Sequence, residues 1–264
     1  MIESYKLHHT RVVVLPGYGC NSNDYNDIVK NCEKRNIEVD VVPISRLDWL
    51  KPFKGMFNKK FWTYDLTPDD TFDWYLNKAR NTLEESFKKN NNNPVILCGH
   101  SAGGWLARAL MQNKTIYGTN KLTYSYVSAL VTMGTPNIIS NIKTYDTTHG
   151  CLTYVNKHYP GAYFHKQGIK YITLGSYSKK VDTKNTELFS KNRIILNSYL
   201  TVLGNHSTPH YIYGDGMVPL DACHLDNSIK LTFNDVFHFK RHKKRWYGDE
   251  SVINTWLHYL NVML

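Results

Sequence analysis

Residues 94–113 read PVILCGHSAGGWLARALMQN, and this stretch decides the fold. The apolar run Val95 to Cys98 has the length of a strand and enters a tight turn, Gly99-His100-Ser101-Ala102-Gly103. That turn opens directly into a helical pattern. Ala102, Trp105, Leu106, Ala109 and Leu110 recur at i, i+3, i+4, i+7 and i+8, a helix with one buried face. A G-x-S-x-G pentapeptide set between strand and helix is a nucleophile elbow, in which a sharp turn strains the serine backbone and exposes its hydroxyl. Gly99, Gly103 and Gly104 are small enough for strand and helix to approach closely. The pattern predicts that Ser101 attacks a carbonyl carbon, with the backbone N–H of Ala102 donating to the oxyanion that forms.

The chain has 264 residues, 42% hydrophobic and 20% charged, which suits one domain (1–264) with a substantial core. No apolar run approaches the roughly 18 residues that a membrane span needs. The first apolar run, Arg11 to Leu15, looks like a core strand rather than a secretory segment. Five cysteines, an odd number without paired spacing, do not make a disulfide framework, and a reducing, cytoplasmic setting is the expectation. The net charge of +10 is carried in part by Lys59-Lys60, Lys88-Lys89, Lys179-Lys180 and the run Lys240-Arg241-His242-Lys243-Lys244-Arg245. That last run is either a solvated loop or a contact for an anionic membrane surface. No nucleic-acid-binding motif accompanies it, so no nucleic-acid partner is expected.

Strand and helix patterns alternate along the chain, which predicts a mostly parallel central sheet with helices on both faces. Strands are expected at Arg11 to Leu15, Ile37 to Pro43, Tyr124 to Met133, Lys170 to Leu174 and Lys230 to Phe233. Asn21 is placed to cap a helix from Ser22 to Lys34, and Thr67-Pro68-Asp69-Asp70 starts another that should run to Lys89. Asp249 should cap a terminal helix whose Val252, Ile253, Trp256, Leu257 and Leu260 form one stripe. The aromatic, basic stretch 46–64 reads as a loop with short helical pieces, its rings packing the core or its rim. Residues 138–205 read as a lid or cap insertion over the catalytic face. Tyr145, Tyr154, Tyr159, Tyr163 and Phe164 in it are expected to line an apolar pocket.

Three further segments bear on function. They are Pro16-Gly17-Tyr18-Gly19-Cys20-Asn21-Ser22-Asn23-Asp24-Tyr25, Met133-Gly134-Thr135-Pro136-Asn137, and Gly214-Asp215-Gly216-Met217-Val218-Pro219. Together with GHSAGGWLAR, ending at Arg108, they resemble the lipase and esterase branch of the α/β-hydrolase superfamily. They are particularly similar to plant-type hydrolases of unassigned substrate, and more distantly to lecithin:cholesterol-type acyltransferases. The resemblance covers the sheet and catalytic loops but not 46–64 or 138–205. It implies an α/β-hydrolase fold with the triad in the chain order serine, acid, histidine.

On that order the acid is Asp215, bracketed by two glycines, and the base is His238, which follows the closing strand. His242 lies in the basic run, which would depress its proton affinity, and His224 precedes the last strand. The loop after the first strand supplies a second oxyanion donor, the N–H of Tyr18. His206 and His210 have the spacing of some metal ligands, but Pro209 breaks the helix that would align them, so no metal and no cofactor is expected. The expected activity is cleavage of a carboxylic ester of a lipid-like or acyl substrate through an acyl-enzyme. A thioesterase or acyltransferase would use the same triad, and a non-catalytic ligand-binding protein on the same frame is the alternative outside catalysis.

Overall fold

The computed structural model describes residues 10–112, 122–140, 143–204 and 209–263. Strand β1 (Arg11–Leu15) shows why the centre is a sheet covered on both sides: Val12, Val13, Val14 and Leu15 are all fully buried. Alternation along a strand sends Val12 and Val14 to one face, with Ile28 and Cys32, and Val13 and Leu15 to the other, with Tyr75, Leu76 and Trp105. Helix α1 (Asn26–Glu33) follows a 3-10 turn at Ser22–Tyr25, where Asn21 and Asp24 form a capping box. Strand β2 (Glu38–Val41) then pairs in parallel with β1.

A long 3-10 stretch, Arg46–Phe57, and helix α2 (Lys59–Trp62) lead to the Thr67 capping box. The helix expected to run from there to Lys89 is broken at Phe72 into α3 (Pro68–Thr71) and α4 (Asp73–Lys89). Strand β3 (Val95–His100) and α5 (Ala102–Leu110) flank Ser101. Then come β4 (Val127–Met133), α6 (Cys151–His158), β5 (Lys170–Ser176), β6 (Lys179–Asp182), α7 (Lys191–Leu203) and β7 (Tyr211–Gly214). The chain closes through β8 (Ile229–Phe233), β9 (Val236–Phe237), β10 (Arg245–Trp246) and α8 (Glu250–Met263).

The central sheet has six strands in the order β2-β1-β3-β4-β5-β8, every neighbouring pair parallel. Helices α4 and α5 pack on one face, α1 and α8 on the other. The stripe expected on α8 is buried there; Trp256 is fully buried, and truncating such a side chain to alanine costs about 3–5 kcal/mol. Asp249 stands at the N-terminal cap position of α8, its carbonyl accepting the Val252 and Ile253 N–H groups, while its carboxylate turns back to accept the Trp246 N–H. The 138–205 stretch is not one continuous insertion, because β5 lies within it, paired between β4 and β8. The five cysteines are all free and buried. Among the described residues no helix is long and apolar enough to cross a membrane.

Candidate active site

Strands β1 and β3 of the parallel sheet deliver the loops bearing Tyr18 and Ser101 to one edge, and the loops after β7 and β9, which belong to two small separate sheets, bring Asp215 and His238 to it. Ser101 sits between β3 and α5 at φ 52° and ψ −125°, a conformation that costs an ordinary residue about 1–3 kcal/mol. Its N–H donates to the Met133 carbonyl at 2.9 Å. Ala102 is the first residue of α5, so its N–H has no acceptor within the helix and points at the helix mouth. The Pro16–Gly17 turn packs onto the elbow so closely that a Cβ added at Gly17 would lie 2.8 Å from the Ser101 Cβ. Tyr18 therefore stands beside the serine.

Asp215 follows β7, and His238 follows β9. His238 Nδ1 donates to Asp215 Oδ2 at 2.8 Å, and Tyr247 donates its hydroxyl to the same oxygen at 3.0 Å. The other carboxylate oxygen accepts the N–H groups of Met217 and Val218, at 2.9 and 2.8 Å. Burial pushes this carboxyl up, but the neighbouring His238 and the two amides outweigh it and hold Asp215 below the ordinary carboxylate range. An ionised carboxylate only accepts, which fixes the proton on Nδ1 and leaves Nε2 as the basic nitrogen. Gly134 makes room for the pair: at φ 54° it lies so close that a Cβ would sit 2.5 Å from Asp215 Oδ2. Asn137, at the end of the same loop, holds the segment after the acid by donating its amide to the Cys223 carbonyl at 2.7 Å.

Ser101, Ala102, Tyr18 and His238 line one cavity of about 530 Å³. Asp215 stands behind the imidazole, so the structure brings all five expected residues to one place. The Asp215–His238 hydrogen bond is present. Among the described residues the Ser101 hydroxyl makes no direct hydrogen bond to the imidazole, although both side chains line the cavity. The rival histidines lie elsewhere: His224 bridges Thr173 and Thr232 on β5 and β8, and His242 is exposed in the basic run. His206 lies outside the described residues. Among those described, no group of three or more His, Cys, Asp or Glu is placed to hold a metal ion.

Two expectations about the cavity wall need correction. Trp49, Phe53 and Phe61 line it, so the rings of 46–64 are not confined to packing. Conversely Tyr159, Tyr163 and Phe164 pack against one another and not on the cavity; the later segment contributes Ile139, Asp146 to His149 and Leu152 instead.

The residues not anticipated are Tyr247, Tyr25 and His100. His100 Nε2 lies 3.0 Å from the His238 carbonyl, which can only accept, so Nε2 carries the proton. Nδ1 then accepts from the Tyr25 hydroxyl at 2.9 Å, and that hydroxyl accepts the Gly17 N–H at 2.8 Å. One chain of hydrogen bonds thus ties the loop bearing Tyr18, the elbow and the loop bearing His238. Burial, reinforced by the nearby His238, lowers the His100 pKa to about 3. A histidine near 6.5 when unfolded and about 3 when folded binds fewer protons in the fold, so stability is complete above pH 6.5 and drains as pH falls towards 3. Between pH 7 and pH 5 this one group should remove about 2 kcal/mol. Urea unfolding of the protein and of His100→Gln at both pH values checks it: the variant should lose correspondingly less, and equal losses would contradict the assignment.

The family model for the PGAP1-like alpha/beta domain matches residues 6–202. The chain belongs to that family. The match spans β1 to α7 and stops before Asp215 and His238, so it bears on the frame and the elbow rather than on the acid and base. This PGAP1-like domain is also similar to the mature lipase BlEst2 of Bacillus licheniformis, at 15% identity and a TM-score of 0.52 over 96% of this chain and 91% of that one. A soluble variant of the Saccharomyces cerevisiae monoglyceride lipase matches at 12% identity and a TM-score of 0.43, over 98% of this chain and 88% of that one. No curated protein matches the sequence. The all-parallel sheet and the BlEst2 likeness give the PGAP1-like domain an α/β-hydrolase fold.

Proposed function

We propose that the protein is a serine hydrolase that cleaves carboxylic esters of lipid-like or acyl substrates. The observation that carries the reading is the ionised Asp215 and Nδ1-protonated His238 set behind a cavity wall that also holds Ser101, Ala102 and Tyr18. In this reading His238 Nε2 takes the Ser101 proton as Oγ bonds to the ester carbon. The N–H groups of Ala102 and Tyr18 receive the charge on the carbonyl oxygen, each such donor being worth about 3–4 kcal/mol in the transition state. The imidazolium, stabilised by Asp215, gives its proton to the departing alcohol. Water, deprotonated by the same nitrogen, then frees the acid and restores the Ser101 hydroxyl. Trp49, Phe72, Trp105, Leu152 and Val202 make the rest of the wall largely apolar, which favours an acyl chain over a charged acid component.

Turnover of p-nitrophenyl esters of graded acyl length tests this. With each buried CH₂ worth about 0.8 kcal/mol, kcat/KM should rise about fourfold per added carbon until the cavity is filled. No turnover at any length, or a profile that falls from acetate onward, would overturn the reading. The BlEst2 likeness, one of fold, is compatible with this chemistry and does not fix the headgroup.

A further inference from the structure

The protein surface that borders the cavity is apolar where a water-facing surface is ordinarily polar. In the 3-10 stretch Arg46–Phe57, Leu47, Leu50, Phe53 and Met56 recur every third residue and are all exposed. Because a 3-10 turn holds three residues, they form a single outward stripe. Leu47 is 77% exposed and the adjoining Phe57 94%, whereas Trp49 in the same stretch is 3% exposed, so the stripe is distinct from the core-facing side. Phe53 and Met56 also reach the cavity that holds Ser101. Helix α7 repeats the arrangement. Its Ser198, Thr201 and Val202 line the same cavity, while Ile194, four residues before Ser198, is exposed and Phe189 just ahead of the helix is 96% exposed.

Both segments are cationic. Residues 46–62 carry Arg46, Lys51, Lys54, Lys59 and Lys60 against one acid, Asp48, which is buried. Arg46, Lys51 and Lys60 are paired with Asp24, Asp48 and Asp70, while Lys54 and Lys59 have no ion-pair partner among the described residues. Residues 184–194 carry Lys184, Lys191 and Arg193 against Glu187. In the basic run 240–245 Lys240 is likewise paired with Asp27 and Arg245 with Asp235, and Arg241 and Lys244 in addition stand over the Phe237 ring. Much of its charge is already engaged within the protein.

We infer that the exposed faces of 46–62 and 188–194 dock on the surface of an anionic lipid bilayer, which brings the cavity mouth against the lipid. Apolar side chains ringed by lysine are what the headgroup boundary of such a bilayer accepts, the chains entering the acyl region while the cations meet phosphates. A second copy of this chain would set like charges against each other, so charge favours the bilayer. The docking step does not itself require ester cleavage.

Vesicle co-sedimentation of the full chain tests it, on a Ser101→Ala background so that lipid hydrolysis cannot consume the probe. The vesicles are phosphatidylcholine alone or phosphatidylcholine with phosphatidylserine. Three variants are compared, each first shown by circular dichroism to be folded: Leu47→Ser/Leu50→Ser/Phe57→Ser, Lys54→Glu/Lys59→Glu, and Arg241→Glu/Lys243→Glu. None of the first five residues lines the cavity. The expected result is binding to the serine-containing vesicles that weakens with salt, falls about tenfold or more in each of the first two variants, and is retained in the third. Failure to bind either vesicle, binding that survives both 46–62 variants, or a salt-insensitive dimer that the triple variant abolishes would each overturn the inference. Since the readout is binding by an inactive variant, its failure is separate from any failure of the ester-cleavage reading.

Discussion

Replacing Ser101 by alanine is expected to lower kcat/KM on a p-nitrophenyl ester by about 10⁴- to 10⁶-fold and to abolish labelling by a fluorophosphonate. The size of the loss follows from what the elbow holds. Asp215 is supplied with four donors and kept ionised, His238 is held in one tautomer, and Ala102 opens a helix whose first amide is free. On the proposed reading all of this preparation acts through one oxygen atom, and alanine removes that atom alone. The substitution leaves the φ of 52° no worse than serine does, so the melting temperature should stay within the range of a change of about 0.5 kcal/mol. Steady-state kinetics with a melting curve separates the outcomes. Retained activity would move the nucleophile elsewhere; lost activity with lost folding would say nothing specific about the hydroxyl, and Ser101→Cys labelled by a thiol reagent then resolves it.

Gly103→Ala should prevent the protein from folding normally, with a loss of about 3 kcal/mol or more out of the roughly 5–15 that a domain possesses. A Cβ at this position would be driven into the Leu15 carbonyl, with the Pro16 carbonyl 2.9 Å away. Both obstacles are backbone, and neither retreats as a flexible side chain would. Leu15 ends a strand paired on both sides, with β2 and with β3, so moving it means moving the sheet. Urea unfolding, or the soluble yield if the variant does not accumulate, measures the effect. Ala102→Gly next door meets no such barrier and serves as the control.

These residues also show where sequence reasoning reaches and where it stops. The elbow was legible because its signal is local: strand, turn and helix stand within twenty residues, each with its own periodicity. The capping boxes at Asn21 and Thr67 were legible for the same reason. The acid and histidine were reachable through chain order, and the structure joins them directly. Tyr247 and the Tyr25–His100 link were not, since partners 32 and 75 residues apart leave no periodic trace. Strands β6 and β7 escaped because they are four residues long and partly exposed, which gives hydrophobic alternation too little length to register. The stripe in 46–57 escaped for another reason. Its repeat is three, the signature of neither an α-helix nor a strand.

The five buried thiols have a practical consequence. Burial raises each of them above its ordinary pKa, Cys32 to about 12, so little thiolate is available to an alkylating reagent while the fold is closed. Cys32 lies in α1, Cys98 on β3, Cys151 in α6 and Cys223 behind the acid loop, so between them they sample both layers and the sheet. The mass gained with time in dilute iodoacetamide, mapped by peptide, is therefore a built-in clock of how each part of the molecule breathes, with no label engineered in.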